Sequence, residues 1–83
     1  MLEVYPNPAS DELYLDIRNA ESKGGLAIEI YDICGRLALP RQNVEGYVSH
    51  LPIDISQLDN GIYNLQVVSE DQVIVKQFIV TKN

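Results

Sequence analysis

Tyr63-Asn64-Leu65-Gln66-Val67 carries an apolar or aromatic side chain at every second position. A two-residue period is the geometry of a strand with one face on a core and the other in water. The pattern repeats on both sides of this stretch. Leu13, Leu15 and Ile17 alternate with Tyr14 and Asp16. Leu26, Ile28 and Ile30 alternate with Ala27 and Glu29, and Leu51, Ile53 and Ile55 with Pro52 and Asp54. β-Branched and aromatic residues fill these runs, as a pleated surface favours. No window of about 11 residues shows a helical stripe.

The breaks between runs carry turn chemistry. Pro6-Asn7-Pro8 cannot continue a ladder, because both prolines lack an N–H. Asn19 to Gly25 is polar and includes Gly24-Gly25. Asp32-Ile33-Cys34-Gly35-Arg36 predicts a tight hairpin, with Gly35 in the left-handed position that closes a type I turn with a bulge. Pro40 to Gly46 reads as a longer loop. Asp59-Asn60-Gly61 is a turn whose last two residues tolerate positive φ, and Ser69 to Gln72 joins the last two runs. The chain therefore predicts strands at 2–5, 12–18, 26–33, 36–39, 47–53, 61–69 and 72–81. This is an all-β fold, an antiparallel immunoglobulin-like β-sandwich of about seven strands. One Cys and no Trp exclude the disulfide and buried tryptophan of antibody domains. The last strand faces both ways: Ile74, Phe78 and Val80 favour one side, Val73, Val75 and Ile79 the other. Such a strand is central, bulged, or an edge that a partner covers.

Length and charge restrict function. The 83 residues make one small domain with a thin core, burying roughly 60–65% of its unfolded surface, so a deep cleft between two lobes is not expected. Twelve acidic residues against six scattered basic ones give a net charge of −6, which excludes nucleic acid as a partner. Cys34 has no second cysteine to pair with, and nothing brings it to the single histidine, His50. Asp11-Glu12 and Glu70-Asp71 are adjacent acids in turns. They lack the unequal environments that acid–base pairs need. Asp54, Ser56, Asp59, Asn60 and Gly61 lack calcium-loop spacing and its closing glutamate. The five tyrosines fall in strands, where half-buried packing is the plain reading and a carbohydrate platform the other. No catalytic, metal or cofactor site is expected.

Four blocks in order carry a further signal: Val4-Tyr5-Pro6-Asn7-Pro8-Ala9-Ser10-Asp11, Ile30-Tyr31-Asp32-Ile33-Cys34-Gly35-Arg36, Ile53 to Tyr63 ending in Gly61-Ile62-Tyr63, and Val75-Lys76-Gln77-Phe78-Ile79-Val80-Thr81-Lys82. Together they span nearly the whole chain, which resembles the C-terminal sorting domains of type IX (Por) secretion system substrates of Bacteroidetes. The resemblance implies a non-catalytic label over residues 1–83, at the end of a longer precursor behind an N-terminal cargo domain. It implies two further partners, the outer-membrane translocon and a sortase-like cysteine protease that removes the label. The route would run through the periplasm to the outer membrane, cell surface or medium. The motif residues are Pro6, Asn7, Pro8, Gly35, Gly61, Tyr63, Lys76, Phe78, Val80 and Lys82. Pro6, Asn7, Pro8, Gly35 and Gly61 also read simply as turn-formers, and Tyr63 as a core or corner tyrosine. Strand 72–81, with Lys76 and Lys82 as charged contacts, is the expected docking surface; gatekeeping against aggregation is the other reading of those lysines. A fibronectin- or immunoglobulin-like module for carbohydrate or protein adhesion is the alternative function.

Overall fold

A computed structural model describes residues 2–17, 25–45, 48–70 and 72–82. The described strands are β1 (Leu2–Tyr5), β2 (Glu12–Ile17), β3 (Leu26–Asp32), β4 (Gln42–Val44), β5 (Val48–Asp54), β6 (Gly61–Val68) and β7 (Val73–Val80). They build two antiparallel sheets, in the orders β1-β2-β5 and β4-β3-β6-β7. The expected all-β sandwich is what forms. Its core lies between the sheets, where alternation turns Leu13, Leu15 and Ile17 of β2 towards Ile28 and Ile30 of β3 and Leu65 and Val67 of β6. The register aligns Ile28 with Val67, and Val67 with Ile74. Four residues along, Asp32 faces Tyr63, and Tyr63 faces Phe78. Leu13, Leu15, Ile55, Leu65 and Phe78 are sealed from solvent.

The turn after β3 forms as expected. Gly35 takes φ +85°, its N–H donates to the Asp32 carbonyl at 3.0 Å, and the Asp32 N–H donates to the Arg36 carbonyl at 2.9 Å. The Asp32 carboxylate accepts from the N–H groups of Cys34 and Arg36, at 2.9 and 3.0 Å, so the turn satisfies its own backbone.

The strand expected at 36–39 is absent. The chain makes one bridge, Tyr31 to Leu37, with an Ala38 N–H bond to the Ile30 carbonyl at 2.7 Å. Pro40 then has no N–H to offer. Pairing with β3 resumes at Gln42–Val44, inside the stretch read as a loop. This edge strand is mostly polar and exposed, so no alternation marks it. The Asn60–Gly61 turn also differs: Gly61 opens β6 at φ +159°, almost fully extended, and Asn60 uses its side chain as a cap on Lys82.

The two-sided last strand is an edge. β7 turns Phe78 and Val80 into the core and leaves Ile74 half-buried, while Val73, Val75 and Ile79 are 56%, 54% and 41% exposed on the outer face. On the outer face of the same sheet, Glu29 is buried beneath Arg41, whose Nε and Nη2 donate to its Oε2 at 2.9 and 2.6 Å. The pairing supplies the hydrogen bonds that a buried carboxylate requires.

Candidate functional site

Most of the motif residues gather around the end of β7, held there by backbone demand. Ile79 lies on the free edge of the sheet, so its N–H and C=O have no strand beside them. The segment after β1 fills that place. Asn7 Oδ1 accepts from the Ile79 N–H at 2.9 Å, the Ala9 N–H donates to the Ile79 carbonyl at 2.8 Å, and the Thr81 N–H donates to the Ala9 carbonyl at 2.8 Å. Pro6 and Pro8 flank this contact, and both preceding peptide bonds are cis. Gly61 faces Val80 across β6 and β7. The Tyr63 ring stacks on Phe78 with centroids 5.8 Å apart, and its hydroxyl donates to the Asp59 carbonyl at 2.8 Å. This is the corner arrangement, in which a strand tyrosine ties down the turn before it. Burial is the main cause that raises its pKa.

The two lysines part company. Lys82 folds back: its N–H donates to Asn60 Oδ1 at 2.8 Å, and its Nζ donates to the Ser56 carbonyl at 2.5 Å. Lys76 stands exposed at an inward-facing position of the edge strand, opposite Leu65, and no described carboxylate pairs with it. Beside it lies an open cleft of about 530 Å³ between the edges of β7 and β1, lined by Leu2, Glu3, Val4, Tyr5, Asn7, Lys76 and Gln77. Gly35 is separate from this group, in the turn that follows β3.

A second cluster escaped the sequence reading. Tyr14 and His50 stack on the outer face of the three-stranded sheet with ring centroids 4.4 Å apart. Tyr5 Oη donates to Asp16 Oδ2 at 3.1 Å and bonds His50 Nδ1 at 2.7 Å. The Asp16 carboxylate also accepts the His50 N–H. Tyr14 Oη donates to Glu12 Oε1 at 2.5 Å, and that bond is the first cause that raises the tyrosine's pKa. His50 reaches this face at φ +55°, beside a register shift between Leu15 and Ile17 in the β2–β5 ladder. Two tyrosines in strands were visible; the bulge that brings a histidine to them was not. Cys34 is exposed at the β3 turn, and His50 belongs to the other sheet. No metal-ligating group of three is present among the described residues.

Two turn carboxylates give a pH dependence. Backbone N–H donation, first from Arg36, holds Asp32 below the usual 3.8. Hydrogen bonds from Ser56 do the same for Asp54. A carboxylate whose pKa is lower when folded stabilises the fold above its unfolded pKa, and that contribution disappears as pH falls through the folded value. The gap in melting temperature between the protein and its Asp32→Asn variant is therefore largest near neutral pH and closes below pH 3.8. A gap that stays constant from pH 7 to about pH 2.5 contradicts this assignment.

Residues 3–81 match the profile of the secretion system C-terminal sorting domain. The chain belongs to that family. The sorting domain therefore carries its family signature over nearly the whole sandwich, as the four blocks implied. No curated protein matches it. Among solved structures it resembles part of PorZ, described as an essential bacterial surface component of the type-IX secretion system of human oral-microbiomic Porphyromonas gingivalis. The TM-score is 0.67 at 19% identity, over 98% of this chain and 11% of PorZ. At that identity the likeness is one of fold, and the sorting domain spans about a ninth of the PorZ chain.

Proposed function

We propose that residues 1–83 are a non-catalytic address label that directs an attached N-terminal cargo across the outer membrane through the type IX system. In this reading the label crosses the periplasm folded, the outer-membrane translocon recognises it, and a sortase-like cysteine protease then separates it from the cargo. The family match over residues 3–81 carries the proposal. The structure supports it in one respect. The motif residues mostly hold the end of β7 in place, and β7 is the strand left with an open edge and an apolar outer face. We therefore assign β7 as the surface that is read. Lys76 is a contact, whereas Lys82 braces the turn at 55–60.

Fusion of residues 1–83 behind a periplasmic reporter, in a host with this pathway, is expected to deliver the reporter to the cell surface or medium. A folded fusion that stays in the periplasm overturns the reading. The competing reading is an adhesive module, which the stack of half-buried Tyr5 and Tyr14 with exposed His50 favours. It requires saturable ligand binding on that face by the isolated domain.

A further inference from the structure

The free edge of β7 is polar, short and bounded. Ile79 turns its N–H outward to Asn7 and its C=O outward to Ala9. With no bulge in the β6–β7 ladder, the two-residue period turns the N–H and C=O of Val73, Val75 and Gln77 the same way. No described group bonds to them. The open window therefore covers residues 73–77, about 17 Å of strand, and ends where the Asn7–Ala9 segment begins. Its two flanks differ. On the outer face, Val73, Val75 and Ile79 form an exposed apolar row, backed by Ile62, which faces Ile79 and is 44% exposed. On the inner side, Ile74 is half-buried and Lys76 borders the cleft between β7 and β1.

We infer that a partner protein adds one antiparallel strand to β7 along residues 73–77, using an extended segment with a carboxylate opposite Lys76 and β-branched apolar residues opposite Val75 and Val73. This rests on the sorting reading and specifies its contact. Residues paired with Val73, Val75 and Gln77 share their outer face, so apolar side chains there extend the exposed row. The residue paired with Lys76 turns towards the cleft, where a carboxylate meets a lysine that no described carboxylate pairs with. Antiparallel pairing is the more stable ladder, and strand addition is an established way to read an open sheet edge. A second copy of this chain fits worse. In an antiparallel pair of β7 strands centred on Val75, Lys76 would face Ile74 instead of a carboxylate, and each copy has a net charge of −6.

The test uses the whole 83-residue chain and a capped peptide, acetyl-Thr-Glu-Val-Thr-Val-Thr-amide. Nuclear magnetic resonance is expected to show saturable shifts centred on Val73 to Gln77, with slowed amide exchange at Val73, Val75 and Gln77. Val75→Pro removes an edge donor that β6 does not use, so the fold persists and binding is lost. Lys76→Glu weakens binding by up to about fivefold, the range that exposed charge pairs support. A peptide with Lys in place of Glu reverses that order between the two proteins. No shifts at millimolar peptide, shifts centred on another face, or unchanged binding by Val75→Pro overturns the proposal. So does sedimentation of the free chain as a dimer that Val75→Pro dissolves, since the edge would then belong to a second copy. Failure of peptide binding with continued reporter export removes strand addition and leaves the sorting function standing.

Discussion

Phe78→Ala unfolds the domain or comes close to it. Truncating a fully buried phenylalanine costs about 3–5 kcal/mol, through lost burial and the cavity left behind. A chain of this size has only about 4–12 kcal/mol in total. Phe78 is sealed from solvent, stacks on Tyr63 and faces it across the ladder, so small side chains cannot readily close the space. Urea unfolding followed by circular dichroism is the suitable measurement, because the chain has no tryptophan. Val75→Ala, three residues away on the exposed face of the same strand, is expected to shift stability by less than about 0.5 kcal/mol. A loss below about 1 kcal/mol for Phe78→Ala would contradict the inward assignment of this residue.

Deleting residues 80–83 is expected to abolish surface delivery of the reporter fusion while leaving the reporter itself active. The deletion takes away Val80, which is 1% exposed. It also removes the Thr81 bond to Ala9 and both Lys82 anchors. Burial of a valine is worth about 1.5–3 kcal/mol, and each hydrogen bond adds about 1 kcal/mol. The deletion therefore loosens the end of β7 together with the Asn7–Ala9 segment that rests on it. Protease shaving of intact cells measures delivery, and reporter activity in the periplasmic fraction accounts for the remainder. Wild-type delivery by the truncated fusion would refute the assignment of β7 as the surface that is read.

Local pattern carried most of this fold. Four of the strands, β2, β3, β5 and β6, follow from apolar residues at every second position, because one face of each is buried. The turn at Gly35 follows from a residue that alone accepts φ +85° without strain. β4 left no trace, since Gln42 and Asn43 contribute backbone pairing and no buried side chain. The sheet order was also invisible: β2 pairs with β5 and β3 with β6, and period-two runs do not name their partners. The candidate surface was legible as an excess of apolar residues on the last strand. The fates of its lysines were not, because what separates Lys76 from Lys82 is a turn at 55–60 that only the folded chain brings within reach. The aromatic cluster was hidden for the same reason: His50 and Tyr5 are 45 positions apart in sequence.

The bond between Asn7 and Ile79 joins residues 72 positions apart. The first loop of the domain thus closes onto the last strand to be made. On the ribosome β7 follows every other strand, so the opening segment waits for it with its contacts unmade. A message that breaks off before β7 yields a chain in which Asn7 and Ala9 lack their bonds to Ile79 and Thr81. In a precursor that travels by this label, a readable surface would then report that translation had passed β7.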